Sequence, residues 1–190
     1  MPHGLALIGD VFGSSSERRI RRESEANALL AQSQQIGVAP LVKIEQIDLM
    51  EGSFGPFSPM VPAKVPLYVA LMLKHSYLCE IETPEWLSTE YLKKAITREE
   101  ESAEDLSEIE MYMFDNYEAC LSSCELVESV SDIRVLVERL REIRMKKLLK
   151  GFEYIDTPII GIKNITFFEF RKIKEYILPH LEIQKKLQKK

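Results

Sequence analysis

An α+β fold, mostly α, is what this sequence predicts: a small N-terminal β-containing domain followed by a helical bundle domain. Three features carry that expectation. Period-two apolar spacing is read at Val42 and Ile44 and, after a phase slip, at Ile47 and Leu49, whereas spacing of three and four residues dominates from Leu67 onward. Between them, Gly52 to Trp86 holds five of the nine prolines, and each ring fixes φ and biases its predecessor away from helix, giving a rigid, extended connector. The expected division is a mobile extension over residues 1–22, a small α+β domain over 23–62, a helical bundle domain over 63–184 and a basic tail over 185–190.

Within the first domain, Ser24 is placed to cap a helix running to about Gln34, with Ala26, Leu29 and Leu30 on one side and Gly37 terminating it. After Pro40 the alternation of Val42 and Ile44 slips phase to Ile47 and Leu49, which a bulge or two short strands would produce.

Downstream, Pro66 suits a first helical position, and Leu67 to Leu73 is apolar nearly all round, so that helix, Leu71 included, is expected to be buried. Pro84 and Trp86 mark a turn, with Ser88 as the cap of a helix through Tyr91, Leu92 and Ile96. The acidic run Glu99 to Glu110 reads as a solvated bend or helix end. Met111, Phe114, Tyr117 and Leu121 share one helix face. From Ser131, Ile133, Leu136, Val137, Leu140, Ile143 and Leu148 form one apolar stripe, with Arg134, Arg139, Arg141, Lys146 and Lys150 off it. A connection over residues 154–163 leads to a last helix, where Thr166 and Glu169 form a capping box and Ile165 with Phe170 the accompanying staple. Pro179 ends or kinks that helix. Four or five helices in one bundle are expected.

Composition narrows the function. A net charge of −5 argues against nucleic-acid binding by the surface as a whole, which needs a basic field. The longest apolar run falls well short of the ~18 residues a membrane span requires, so no membrane association is expected. Three cysteines are too few for a disulfide framework, and MPHGLALIG lacks the basic start of a secretory signal, so an intracellular protein is expected. The glycines of residues 1–22 match neither a dinucleotide nor a P-loop pattern. His3, His75 and His180 lie in unrelated segments without a nucleophile or carboxylate motif. Cys120 and Cys124 share a helix face, but no two further zinc ligands accompany them. No catalytic residue, cofactor or metal is therefore expected, and the chain is read as not an enzyme. The cations of Arg134 to Lys150 interleave with Glu138 and Glu142 and lack aromatic stacking partners, which leaves direct DNA contact open.

One ordered series is specific enough to carry a resemblance: Gly52, Gly55-Pro56-Phe57, Pro59, Pro62, Val65-Pro66-Leu67, Ala70, Leu73-Lys74, Cys79 and Pro84-Glu85-Trp86. Ile133-Arg134, Leu136-Val137, Arg144 and Lys147-Leu148 extend it, as do Asn164, Thr166 and Glu169. Over residues 24–181 the chain resembles the Psf-two-type subunit of the GINS complex. Tyr68 stands where that family commonly has tryptophan, and Pro179 breaks a helix the family usually continues. The resemblance implies a non-catalytic scaffold in a nuclear heterotetramer with three other GINS subunits, which joins the MCM ring and a further helicase activator in DNA replication. It implies a structural role for Gly55, Pro56, Phe57, Pro62, Pro66, Leu67, Pro84 and Trp86. Apolar residues beyond the needs of a small bundle, Leu136, Leu140, Ile143, Phe167 and Phe168, are the candidate subunit interface. The alternative is a stand-alone helical adaptor that binds one partner through an apolar groove.

Overall fold

The structure, a computed structural model, describes residues 26–152 and 162–174. Helix α1 occupies residues 26–32, followed by β1 (Gln35–Pro40), β2 (Ile47–Leu49), β3 (Gly52–Phe54), β4 (Ala63–Pro66), α2 (Leu67–His75) and β5 (Cys79–Ile81). A 3₁₀ turn (Glu85–Leu87) leads into α3 (Thr89–Glu101), α4 (Met113–Ser123) and α5 (Val130–Phe152), and α6 covers residues 167–174. The fold is α+β and mostly α. The expected cap Ser24, residues 1–22, all but the last two residues of the expected connection over 154–163, Pro179 and the basic tail lie outside the described residues.

The central strand was not foreseen. Gly37, expected to terminate α1, instead lies inside β1, which pairs antiparallel with β4 on one side (Ile36 opposite Val65) and β5 on the other (Ala39 opposite Glu80). Ile36 and Val38 point into the core while Gln35 and Gly37 face outward, the alternation a half-buried strand requires. Because β1 precedes residue 62 while β4 and β5 follow it, the three-stranded sheet runs across the expected division at 62/63. Gly52 to Trp86 is thus less a connector than the source of two of the sheet's three strands and of α2.

The phase slip after Ile44 resolves into two short pieces. Ile44 bridges Phe57, and β2 pairs with β3 as a separate hairpin, while Val42 is exposed outside any strand. Gly55 adopts φ +97°, and a side chain there would crowd the Phe57 ring, so glycine is required for Phe57 to tuck in at 7% exposure.

Pro66 is the N-cap of α2 rather than its first residue. Leu67, Val69, Ala70 and Leu73 are buried, each large side chain contributing roughly 1.5–3 kcal/mol. Leu71, expected to be buried, is half-buried and Met72 is exposed, since a single layer of sheet covers only part of the helix. Ser88 caps α3 as expected, its Oγ accepting the Tyr91 N–H at 3.2 Å. Met111 lies ahead of α4 and is exposed, whereas Phe114 and Leu121 are buried. One core joins the sheet to the helices, from Val38 and Val65 through Leu87 and Leu92 to Val137 and Leu140. A second cluster of Leu106, Leu148 and Ile173 packs beneath Ile162 and Ile165. Ile165 therefore packs here, while its expected staple partner Phe170 is 54% exposed.

Candidate functional site

α3 and α5 pack along one another, and their buried stripes explain what gathers between them. On α3, Leu92 and Ala95 face the core, and Glu99 follows in phase; on α5, Ile133, Val137, Leu140, Arg144 and Leu148 recur at steps of three and four. Glu99 and Arg144 are fully buried. The expectation that the acidic run is solvated therefore fails at its first residue, because helical phase turns Glu99 inward.

The guanidinium of Arg144 uses every one of its donors. Nε donates to Glu169 Oε1 at 2.6 Å, and Nη2 to Glu169 Oε2 at 3.0 Å and the Asn164 carbonyl at 2.7 Å. Nη1 donates to the Ser107 carbonyl at 2.8 Å and to Glu99 Oε1. Lys147 Nζ closes the set on Glu99 Oε2 at 2.6 Å, and the Ser107 N–H and Oγ donate to Glu99 Oε1. Two cations thus meet two carboxylates with the donors satisfied, the condition under which buried charge is tolerated. Burial pushes the Glu99 carboxyl up, but hydrogen bonds from Lys147 and Ser107 and the charge of Arg144 outweigh it and hold the group below its ordinary value. Burial likewise opposes the charge on Arg144, and the bond and charge of Glu169 with those of Glu99 overcome it.

This network holds α6 in place. The expected capping box is present, the Thr166 N–H donating to Glu169 Oε2 at 2.9 Å and the Glu169 N–H to Thr166 Oγ1 at 3.3 Å. Glu169 therefore caps its own helix and grips Arg144 with the same carboxylate. Asn164, at φ +58°, turns the chain into α6 and donates from Nδ2 to the Leu106 carbonyl. Two of the residue series that carried the resemblance, the one with Arg144 and Lys147 and the one with Asn164, Thr166 and Glu169, converge at this one place.

Beside it, Arg141 lies over the Phe168 ring at 4.5 Å and over Phe114 and Tyr117 at 5.2 Å, so this cation does have aromatic partners, all within the fold. From Arg134 to Lys147 each cation of α5 is ion-paired: Arg134 with Glu118, Arg139 with Glu100, Arg141 with Glu138 and Lys146 with Glu142, besides Arg144 and Lys147. Arg171 Nη2 meets Asp115 Oδ1 at 3.3 Å, leaving the buried Oδ2 without a partner. Burial pushes the Asp115 carboxyl up against the pull of Arg171, Arg141 and the Phe168 N–H.

The candidate interface residues separate. Leu140 is fully buried in this chain's own core and offers nothing to a partner, because α3 covers that side of α5. Leu136 and Phe168 are half-buried against the same core. Ile143 and Phe167 are half-buried, Phe167 against Tyr112 with ring centroids 5.6 Å apart. Val135 and Leu149, outside the expected interface, and Phe170, expected as the staple partner of Ile165, are 68%, 43% and 54% exposed. Of the proline-stretch residues, Phe57, Pro66 and Leu67 are buried, Pro84 and Trp86 half-buried, and Gly55, Pro56 and Pro62 exposed. The hydrogen bond with Cys124, followed by burial, pushes the Cys120 thiol up, and among the described residues no group of three or more histidine, cysteine or acidic side chains is placed to hold a metal. No helix among them is long and apolar enough to cross a membrane.

Residues 24–82 match the PSF2 N-terminal domain family. A protein of Encephalitozoon cuniculi named "Probable DNA replication complex GINS protein PSF2" is 36% identical over 159 residues, covering 84% of this chain and 91% of its own length. The chain belongs to the PSF2 family. Two further PSF2 relatives carry the name "DNA replication complex GINS protein PSF2". That of Candida albicans is 28% identical over 79% of this chain and 75% of its own length, and that of Xenopus laevis 29% identical over 83% and 88%. These spans take the PSF2 likeness beyond the N-terminal match and into the helices that hold the ion network.

Proposed function

We propose that this chain is a non-catalytic scaffold subunit of a GINS heterotetramer, assembling with three other GINS subunits in the nucleus. The assembly associates with the MCM ring and a further helicase activator in DNA replication. Membership of the PSF2 family and the names carried by its relatives support this reading. The observation that carries it is the separation of tasks on α5 and α6. Their inner faces are locked by Arg144 and Glu169, while Val135, Leu149 and Phe170 stay exposed and Ile143 and Phe167 are half-buried. A rigid frame presenting apolar side chains is what a partner helix needs, because little ordering remains to oppose association. The paired state of the α5 cations from Arg134 to Lys147 supports a protein surface over a phosphate-binding one.

Co-expression with the three other subunits, followed by native mass measurement, tests this. A one-to-one-to-one-to-one assembly is expected. A binary complex with one subunit would favour the stand-alone adaptor, and a stable monomer would end both readings.

A further inference from the structure

At the outer end of β1 the sheet opens onto a cavity of about 400 Å³, and its construction follows from strand register. Gly37 accepts the Glu82 N–H at 3.0 Å, and the Leu41 N–H donates to Leu78 at 2.9 Å, so the odd-numbered residues of β1 turn their backbone groups toward β5. Continuing that register places Pro84 opposite Gln35. Proline has no N–H, and the chain leaves the sheet there for the 3₁₀ turn. Among the described residues, the N–H and C=O of Gln35 are left without a strand partner, an edge one residue pair long that faces the cavity.

The walls select by charge and shape. Glu82, Glu85 and Glu110 contribute three carboxylates against one cation, Lys64, and the indole of Trp86 supplies an aromatic side. The floor is kept low by Gly37, where a Cβ would run into the Glu82 carboxylate. That glycine holds no positive φ, so the close approach of Glu82 is what its missing side chain permits. A planar cation beside an indole and several carboxylates has the stacking and paired acceptors that suit a guanidinium better than an ammonium.

We propose that this cavity is a docking site for an extended, arginine-bearing segment of another protein chain. Its backbone pairs with Gln35 as an added strand residue, and its guanidinium lies between Trp86 and the three carboxylates. The site stands on the geometry of β1 and the turn after β5, and it does not depend on the GINS assembly proposed above.

Trp86 is the chain's one tryptophan, so intrinsic fluorescence reads the site directly. The full chain is titrated with acetyl-Val-Arg-Val-amide, with the Gln and Glu analogues of that peptide, and with an analogue N-methylated at the arginine. A saturable change with the arginine peptide, and none with its Gln and Glu analogues, is expected. Glu82→Gln, Glu85→Gln and Glu110→Gln together should weaken it roughly tenfold, and N-methylation, which removes the donor to Gln35, severalfold. Circular dichroism and melting temperature confirm that the exposed-site variant remains folded. Equal responses to the Arg, Gln and Glu peptides, no response to any, or a response unchanged by the triple substitution would overturn the cation site. Equal binding of the N-methylated peptide would overturn the strand pairing.

Discussion

Arg144 and Glu169 meet fork to fork, Nε on Oε1 at 2.6 Å and Nη2 on Oε2 at 3.0 Å, with both side chains wholly shielded from water. Removing one member strands the other as a buried charge. Glu169→Gln and Arg144→Met should each destabilise the chain by about 3–5 kcal/mol, read by urea unfolding. Arg144→Lys should not rescue, because an ammonium cannot span both carboxylate oxygens and the Asn164 and Ser107 carbonyls. A loss below about 1 kcal/mol would mean that water or rearrangement compensates.

Glu99 and Asp115 should push the pH dependence of stability in opposite directions. Glu99 has a depressed folded pKa, so its contribution is complete above the unfolded value of about 4.3 and is lost as pH falls through the lower folded value. Asp115 has a raised folded pKa, so its protonated form favours folding at acid pH and that gain disappears as pH rises through the folded value. Glu99→Gln should flatten the acid limb of a stability–pH curve. Asp115→Asn should become relatively less harmful as pH rises above about 4, and a difference independent of pH would contradict the burial assigned to its Oδ2.

Asn164 combines a left-handed backbone with a side-chain bond to Leu106. Asn164→Gly keeps the conformation and loses the bond, whereas Asn164→Ala loses both. The alanine variant should be the less stable by about 1 kcal/mol, measured by thermal melting. Equal losses would place the whole effect in the hydrogen bond.

Leu140 and Phe167, both candidates for the subunit interface, should behave differently on substitution. Leu140→Ala should cost about 2–5 kcal/mol in the isolated chain by opening a core cavity. Phe167→Ala should cost the chain little beyond its ring contact with Tyr112, about 0.5–1.5 kcal/mol, while weakening assembly with the other subunits in a native mass titration. Unimpaired assembly of the Phe167 variant would remove that residue from the proposed interface.

What could be read from the sequence was local. The Ser88 cap and the Thr166–Glu169 box involve residues three apart, and each appears where its spacing places it. Glu99 was misread because its meaning depends on Arg144 and Lys147, 45 and 48 residues away, and neighbouring glutamates mask its phase. In-phase placement was the available signal, since Glu99 continues the stripe of Leu92 and Ala95, and Arg144 that of Val137 and Leu140. β1 escaped for a similar reason. Gly37 suits a helix terminus by itself, and only pairing with Lys64 in β4 and hydrogen bonding to Glu82 beyond β5 make it a strand residue.

The distribution of the ion network along the chain also bears on synthesis. Arg144 leaves the ribosome after Glu99 and 25 residues before Glu169, so a nascent chain passes through lengths at which the guanidinium has one carboxylate in place of two. At those lengths, docking α5 fully against α3 would bury an uncompensated donor set, which favours keeping that part of the helix hydrated. The turn bearing Asn164 and Glu169 is then the latch whose emergence permits closure, and a chain ending before it would carry a helical pair held short of its final packing.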